Sequence, residues 1–351
     1  MVAGALDQRT GGYLYDARIV AGLQALERKV RVVELPGDWP EPTGQDVASL
    51  RSALADCPDG TPVVVDGLVA GAAPGPIEAE SSRLRIVALV HHPLADEGDR
   101  PPRDVAALEA REGRTLRAAR GVIVTSGFTR NRVVELGATR DRVVVVEPGT
   151  DRPAGDDGSR VARGDVVTLL CLGSVVPRKD QTRLVRALDA LHASDPDLRW
   201  RCDMVGSLER DREYADRVRR AVAASSVAGH IRFTGEVGHE ALREIWAEAD
   251  VLVSTSRYEG YGMALTEAMV RGLPVVAVTG GAVERTVPAE VGCLVQPDDD
   301  RALSRALERV VADGAYRARL AASSREHSGT LPTWAEQAAA FDAALRELTD
   351  A

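Results

Sequence analysis

Short runs of Val, Ile and Leu alternate along almost the whole chain with longer stretches in which apolar residues recur every third or fourth position. In the first half the short runs predict strands over residues 2–6, 30–35, 62–66, 86–90, 121–125 and 143–146. Helical patterns lie between them, among them 13–26, 104–119 and 129–136. A run such as Val143-Val144-Val145-Val146 is apolar on both faces. Such a strand belongs in a parallel sheet covered by helices on both sides. The alternation is βαβα, which makes the class α/β.

The pattern breaks over residues 154–164, which are polar, Gly-containing and without period, and read as an interdomain linker. It then restarts, with strands expected over 166–172, 200–205, 231–234, 251–254 and 274–278. Helical patterns follow over 181–192, 213–223, 240–247, 264–271 and 334–348. The expected architecture is two doubly wound, Rossmann-like domains facing each other across a cleft: 1–153, then 165–330, joined by the linker.

Composition supports this division. The length, 351 residues, suits two domains at roughly 100–200 residues each. Apolar residues make up 44% and aromatics only 4%, so the cores must be built from Val, Leu and Ala. The net charge of −9 argues against a dedicated nucleic-acid binder, which needs positive charge to displace counterions. Cys57, Cys171, Cys202 and Cys293 stand far apart and read as reduced thiols of a cytoplasmic protein. The first residues lack the pattern of a signal peptide, and no apolar run approaches the ~18 residues of a membrane span.

In open α/β sheets, ligands bind beyond the carboxyl ends of the strands. Those ends carry Gly11-Gly12, His91-His92-Pro93, the loop from Gly173 to Arg178-Lys179, Glu259-Gly260-Tyr261-Gly262, and Gly280-Gly281. The Gly260–Gly262 stretch must be loop, with a helix beginning near Met263 and carrying Glu267 on an early turn. A helix start offers free N–H groups and partial positive charge, suited to a phosphate. Glu267 could accept hydrogen bonds from the two hydroxyls of a ribose, and Glu259 could meet hydroxyls beyond the phosphates. By spacing alone, a solvated loop carboxylate and an exposed helix residue explain the two glutamates equally well.

The chain resembles the retaining glycosyltransferases of family 4, which have the GT-B fold. The resemblance is densest from Ala249 to Glu259 and from Glu267 to Ala277, where Glu259…Glu267 matches the family's Glu-x7-Glu motif. Gly280-Gly281, the stretch from Gly292 to Pro297 and Trp334 also fit. The resemblance implies that Glu267 binds the nucleotide ribose, that Glu259 contacts the donor sugar, and that Gly260, Tyr261, Gly262 and Met263 lie near sugar and diphosphate. It places Lys179, in the basic loop opened by Gly173, on the diphosphate. It puts the Gly11-Gly12 turn over the substrates and His91 near the reacting sugar. Ser174 stands where many members carry an Arg, and Arg178 is the candidate replacement. The final helix, 332–351, is expected to cross back onto the first domain.

The implied reaction moves a sugar from a nucleoside-diphosphate donor to a hydroxyl acceptor with retention of configuration, with His91, Lys179 and Glu259 at the reacting centre. No metal is expected: there is no Asp-x-Asp in a metal-binding setting, and Asp298-Asp299-Asp300 reads as a turn and helix cap. Three alternatives stand: a sugar-nucleotide 2-epimerase of the same fold, a non-catalytic nucleotide-sugar binder, and a nicotinamide-dependent oxidoreductase. The last lacks its Gly-x-Gly-x-x-Gly turn. His92, beside Pro93, reads as an orienting or structural residue and not a second catalytic group. Arg111, Arg114, Arg117 and Arg120, interleaved with Glu109 and Glu112, read as a solvated helix face; the other reading is weak contact with anionic lipid.

Overall fold

The computed structural model describes residues 1–98, 100–152 and 166–350, so the linker expected at 154–164 lies outside the described residues. The chain divides into two compact units: residues 1–149 with 332–351, and residues 150–331.

Unit 1 contains β1 (Val2–Ala3), β2 (Glu34–Leu35), β3 (Pro62–Asp66), β4 (Arg85–Val90), β5 (Gly121–Val124) and β6 (Val143–Val145). The last four form a parallel sheet in the order β3-β4-β5-β6, and β1 pairs with β2. Hydrogen bonds from Met1 N to Val64 O (2.8 Å) and from Asp66 N to Met1 O (3.0 Å) tie the short pair to β3. The expected strands 2–6 and 30–35 are each cut to two residues. Gly4 explains the first: its φ of 62° turns the chain out of the extended conformation. Gly11 and Gly12 are not a turn but the first residues of the helix Gly11–Ala25, entered through an extended Thr10.

Unit 2 contains β7 (Val167–Leu172), β8 (Trp200–Val205), β9 (Ile231–Gly235), β10 (Val251–Ser254), β11 (Val275–Val278) and β12 (Gly292–Val295). All pair in parallel, in the order β12-β11-β10-β7-β8-β9. That is the doubly wound order, with the direction of winding reversing between β7 and β10. The central strands feed two cores. Leu169 and Val251 join the cluster on one face, and Leu170 and Leu252 the cluster on the other. β12 and the helices Asp300–Ala312 and Gly314–Ser328 were not among the predicted elements. Asp299 accepts from Ala302 N at 2.7 Å as the N-cap of the first of these helices, as expected for the acidic run. The four cysteines are free.

One reading of the arginine-rich helix, Pro102–Ala118, needs correction. Glu112 is not on a solvated face. It is buried, and its carboxylate accepts from Leu94 N (2.7 Å) and Ala95 N (3.1 Å), bracing the turn that follows His91-His92-Pro93. Burial raises its pKa to about 7, with the two amides pulling the other way. Arg114 holds Glu78 through two hydrogen bonds, and Arg120 donates to Leu348 O at 3.1 Å. Among the described residues no helix is long and apolar enough to cross a membrane.

The last helix, Trp334–Asp350, packs on Gly11–Ala25 within unit 1. Arg28 grips Asp342 with Nε at 2.8 Å and Nη2 at 2.9 Å, and Gly22 sits where a Cβ would land on the Cβ of Ala338. We expect Gly22→Ala to destabilise unit 1 by about 1–3 kcal/mol through overpacking. That outcome holds even though Ala is the better helix former by about 1 kcal/mol. Denaturant unfolding checks it; a more stable variant would mean that the two helices separate at little cost.

Candidate active site

A winding reversal leaves two neighbouring strands whose following loops diverge, and the gap beyond their carboxyl ends is open to a ligand. In unit 2 those strands are β7 and β10. The loop after β7 carries Gly173, Ser174, Arg178 and Lys179, and the segment after β10 carries Glu259. Lys179 Nζ lies 2.6 Å from Glu259 Oε1, and Arg178 Nη1 lies 3.5 Å from Glu259 Oε2. All three side chains are largely buried. Burial alone would raise the Glu259 pKa, but Lys179 and then Arg178 outweigh it and hold the carboxyl down at about 2.

The two loops are bonded along their backbones as well. Thr255 Oγ1 donates to the carbonyls of Lys179 and Asp180, each at 3.0 Å. Arg257 N donates to Arg178 O at 2.8 Å, and Arg178 Nη1 donates to Tyr258 O at 2.9 Å. Asp180 closes the turn in the left-handed region, φ 45°, a conformation that Asp tolerates better than most residues. Its buried carboxylate takes Arg257 Nε at 2.9 Å and Thr182 Oγ1 at 2.9 Å.

Glycines make the close approaches. A Cβ on Gly281 would strike the backbone of Glu259, and the two residues form an isolated parallel bridge. A Cβ on Gly173 would lie 3.3 Å from Lys179 Cε. Gly260 and Tyr261 are loop, and Gly262, at φ 93°, opens the helix Met263–Val270. Its first amides have no intrahelical partner. Glu267 is the fifth residue of this helix and half-buried, with Arg271 Nη1 donating to its carbonyl at 2.8 Å.

Unit 1 gathers a second cluster at its own strand ends. His91 follows β4, Asp66 ends β3, and Asp16 lies on the helix after β1. His91 Nε2 is 3.1 Å from Asp16 Oδ1 and 3.6 Å from Asp66 Oδ2. Gly12 lies against the same ring: a Cβ there would sit 3.1 Å from His91 Cδ2. Tyr15 meets the imidazole edge-on at a centroid distance of 5.2 Å and touches Trp334 at 5.9 Å. His92 turns instead to Glu97.

The sequence-expected residues therefore fall into two groups. Arg178 and Lys179 both meet Glu259, with Gly173 against Lys179, and Gly260, Tyr261, Gly262, Met263 and Glu267 follow in chain order. Gly12 and His91 are in contact in unit 1, with Gly11 beside them at the helix start. Sequence reasoning missed Asp16, Asp66, Asp180 and Arg257. Asp66 carried a faint signal as a lone carboxylate ending an apolar run. Among the described residues, Asp16, Asp66 and His91 are also the one His and carboxylate group with ligand atoms within 4.8 Å of one another. Each already has a neighbour of its own: the imidazole Nε2 lies against both carboxylates, and the Met1 amino group faces Asp66.

Residues 15–152 match the family described as Glycosyltransferase Family 4, and residues 157–327 match Glycosyl transferases group 1. A D-inositol 3-phosphate glycosyltransferase of Geodermatophilus obscurus is 33% identical over 270 residues, 72% of this chain and 59% of that protein. A GDP-mannose-dependent alpha-(1-6)-phosphatidylinositol monomannoside mannosyltransferase of Mycolicibacterium smegmatis is 31% identical over 58% of this chain and 56% of its own length. The chain thus spans under three-fifths of these relatives. Among solved structures, sucrose-phosphate synthase of Thermosynechococcus elongatus aligns over 99% of both chains with a TM-score of 0.78 at 20% identity. Anabaena HepE in complex with UDP-glucose aligns over 99% of this chain and 98% of its own, with a TM-score of 0.74 at 18% identity.

The pairing of Glu259 makes a pH-dependent prediction. Its folded pKa lies below the ordinary carboxyl value, so its contribution to stability is complete above about pH 4.5 and is lost as pH falls toward about 2. Glu259→Gln leaves two cations without their buried carboxylate and should cost about 3 kcal/mol at neutral pH. The gap to the parent should narrow steadily as pH falls through that window in denaturant titrations. A gap that stays constant with pH would mean that the ion pair contributes nothing.

Proposed function

We propose that this chain, which belongs to glycosyltransferase family 4 and has the GT-B fold, transfers a sugar from a nucleoside-diphosphate donor to a hydroxyl acceptor with retention of configuration. The observation that carries this reading is the buried contact of Lys179 and Arg178 with Glu259 at the winding reversal of unit 2, next in the chain to a glycine-opened helix start. A site for a nucleotide sugar needs fixed positive charge for the diphosphate and acceptors for sugar hydroxyls, and these residues offer both.

In the transition state the sugar approaches an oxocarbenium ion while negative charge grows on the departing diphosphate. Lys179 and the amides that open the Met263 helix meet that charge, and being already in place they need no reorganisation. Glu259, held ionised, accepts hydrogen bonds from hydroxyls of the donor sugar, and Glu267 accepts from the ribose. Arg178, donating to the Tyr258 carbonyl beside Glu259, serves as the second cation in place of the arginine absent at Ser174. Attack on the same face as departure lets the leaving phosphate take the acceptor proton, so no protein nucleophile is invoked. The relatives' names speak for a phosphorylated or lipid-linked inositol as the acceptor class to try first.

A screen of UDP- and GDP-sugars for nucleotide release with and without inositol phosphate tests the reading. The names of a relative and of a structural neighbour include one donor of each kind. Lys179→Ala should lower turnover at saturating donor by ~100–1,000-fold, the usual effect of losing one preorganised donor to a developing anion. Near-parental turnover would move the charge to another residue. Glu267→Ala should weaken nucleotide binding in calorimetric titration with the fold intact.

The reaction as proposed uses no metal, because the cations named above neutralise the diphosphate. Activity should therefore persist in excess chelator. Loss of activity with EDTA and recovery with a divalent ion would overturn the metal-free mechanism.

A further inference from the structure

His91 is gripped through one nitrogen only. Nε2 faces Asp16 and Asp66, at 3.1 and 3.6 Å, while Nδ1 takes no hydrogen bond among the described residues and is not one of the buried unpaired atoms. The ring cannot easily turn over. Its main-chain carbonyl accepts from Thr125 Oγ1 at 3.1 Å, Gly12 closes on its Cδ2 edge, and Tyr15 stands against it. Tyr15 is itself fixed by donating to Val146 O at 3.0 Å.

We propose that Asp16 and Asp66 are positioning residues that hold His91 as an imidazolium by its Nε2–H, so that Nδ1–H is presented as a hydrogen-bond donor to an oxygen of the bound sugar substrates. The identity of the ligand rests on the glycosyltransferase reading; the state of the ring does not. The carboxylate geometry is that of an orienting group behind a histidine, but two carboxylates on one nitrogen do more than orient. They favour the charged ring and disfavour a neutral one with a basic Nδ1. His91 is then a fixed donor, not a general base. This agrees with a reaction in which the leaving phosphate takes the acceptor proton.

The charges around the ring support this assignment. The titratable groups that face it among the described residues are Asp16, Asp66 and Tyr15, and the Met1 amino group acts in turn on the two carboxylates. Burial pulls the His91 pKa down, and the two carboxylates together outweigh it, leaving it raised. Burial first and the Asp16 charge second lift Asp66 to about 6, and the shorter approach of Asp16 to Nε2, 3.1 Å against 3.6 Å, makes Asp16 the primary anchor. The Met1 amino group donates to Val64 O at 2.8 Å; burial lowers its pKa, and the opposing pull of Asp66 and Asp16 does not make up for it. The Tyr15 phenol is pushed well above its ordinary range by burial and stays neutral.

Nitrogen-15 NMR of the full chain, labelled at histidine and assigned with His91→Gln, reads this state without reference to activity. The expected result is an Nε2–H that persists across the titration, with Nδ1 losing its proton at a midpoint above the ordinary histidine value of about 6.5. Asp16→Asn should lower that midpoint by about one unit or more, and Asp66→Asn by less. With a donor identified, the alkaline limb of turnover should move by the same amount while nucleotide affinity stays unchanged. A parental midpoint at or below 6.5, or one indifferent to Asp16→Asn, overturns the proposal; if that variant does not fold, the parental titration decides. A raised His91 in a protein that accepts no sugar donor would sustain the proposal about the ring and count against the functional reading alone.

Discussion

Lys179 and Glu259 are 80 residues apart in the chain and 2.6 Å apart in space. Neither could be buried alone. A carboxylate or an ammonium taken out of water without a partner carries a penalty of several kcal/mol, and it changes its protonation state or drags in solvent instead. Each charge therefore requires the other, and the two loops that carry them must keep one relative position. The backbone contacts of Thr255, Arg257 and Arg178 hold that position. Asp180 accepts an uncommon backbone conformation to complete the turn, and its carboxylate answers Arg257. Charge, hydrogen bonding and backbone geometry agree here. The relative position of the two loops is thus fixed by the protein's own contacts.

Unit 1 solves a related problem with the signs reversed. Two carboxylates end up buried side by side near one sheet edge, and the imidazole of His91 lies against both. The glycines serve the same end in both units. Gly12 lets a helix start approach the His91 ring, and Gly281 lets a loop lie on the backbone of Glu259. At Gly281 there is no room for a side chain, and at Gly12 a Cβ would press on the ring edge at 3.1 Å. Glu112 belongs to this scheme too, since it braces the turn that leaves His91 and His92.

Much of this was legible in the residues. Strands such as β3 and β10 fell on the predicted bounds because a short run of Val and Leu between polar stretches has few other ways to hide both faces. The helix beginning at Met263 was legible from Gly262, whose left-handed backbone ends the loop. Less legible were the edges. β1 and β2 keep only two residues each, because pairing at a sheet margin depends on what lies alongside and Gly4 turns the chain away. Glu112 was misread because helix periodicity assigns a face without saying what packs on it, and here a turn with two unpaired amides does.

Periodicity, glycine placement and charged residues at strand ends are local properties, so the sequence by itself determined the α/β class and the choice of Lys179, Glu259, Glu267 and His91 as candidates. The partners of those residues are not local. Asp16 and Asp66 reach His91 from two other elements, and Arg257 finds Asp180 across a gap of 77 residues. Only the tertiary structure decided these pairings, because the energy that selects them comes from removing water around charges that no sequence neighbour can neutralise.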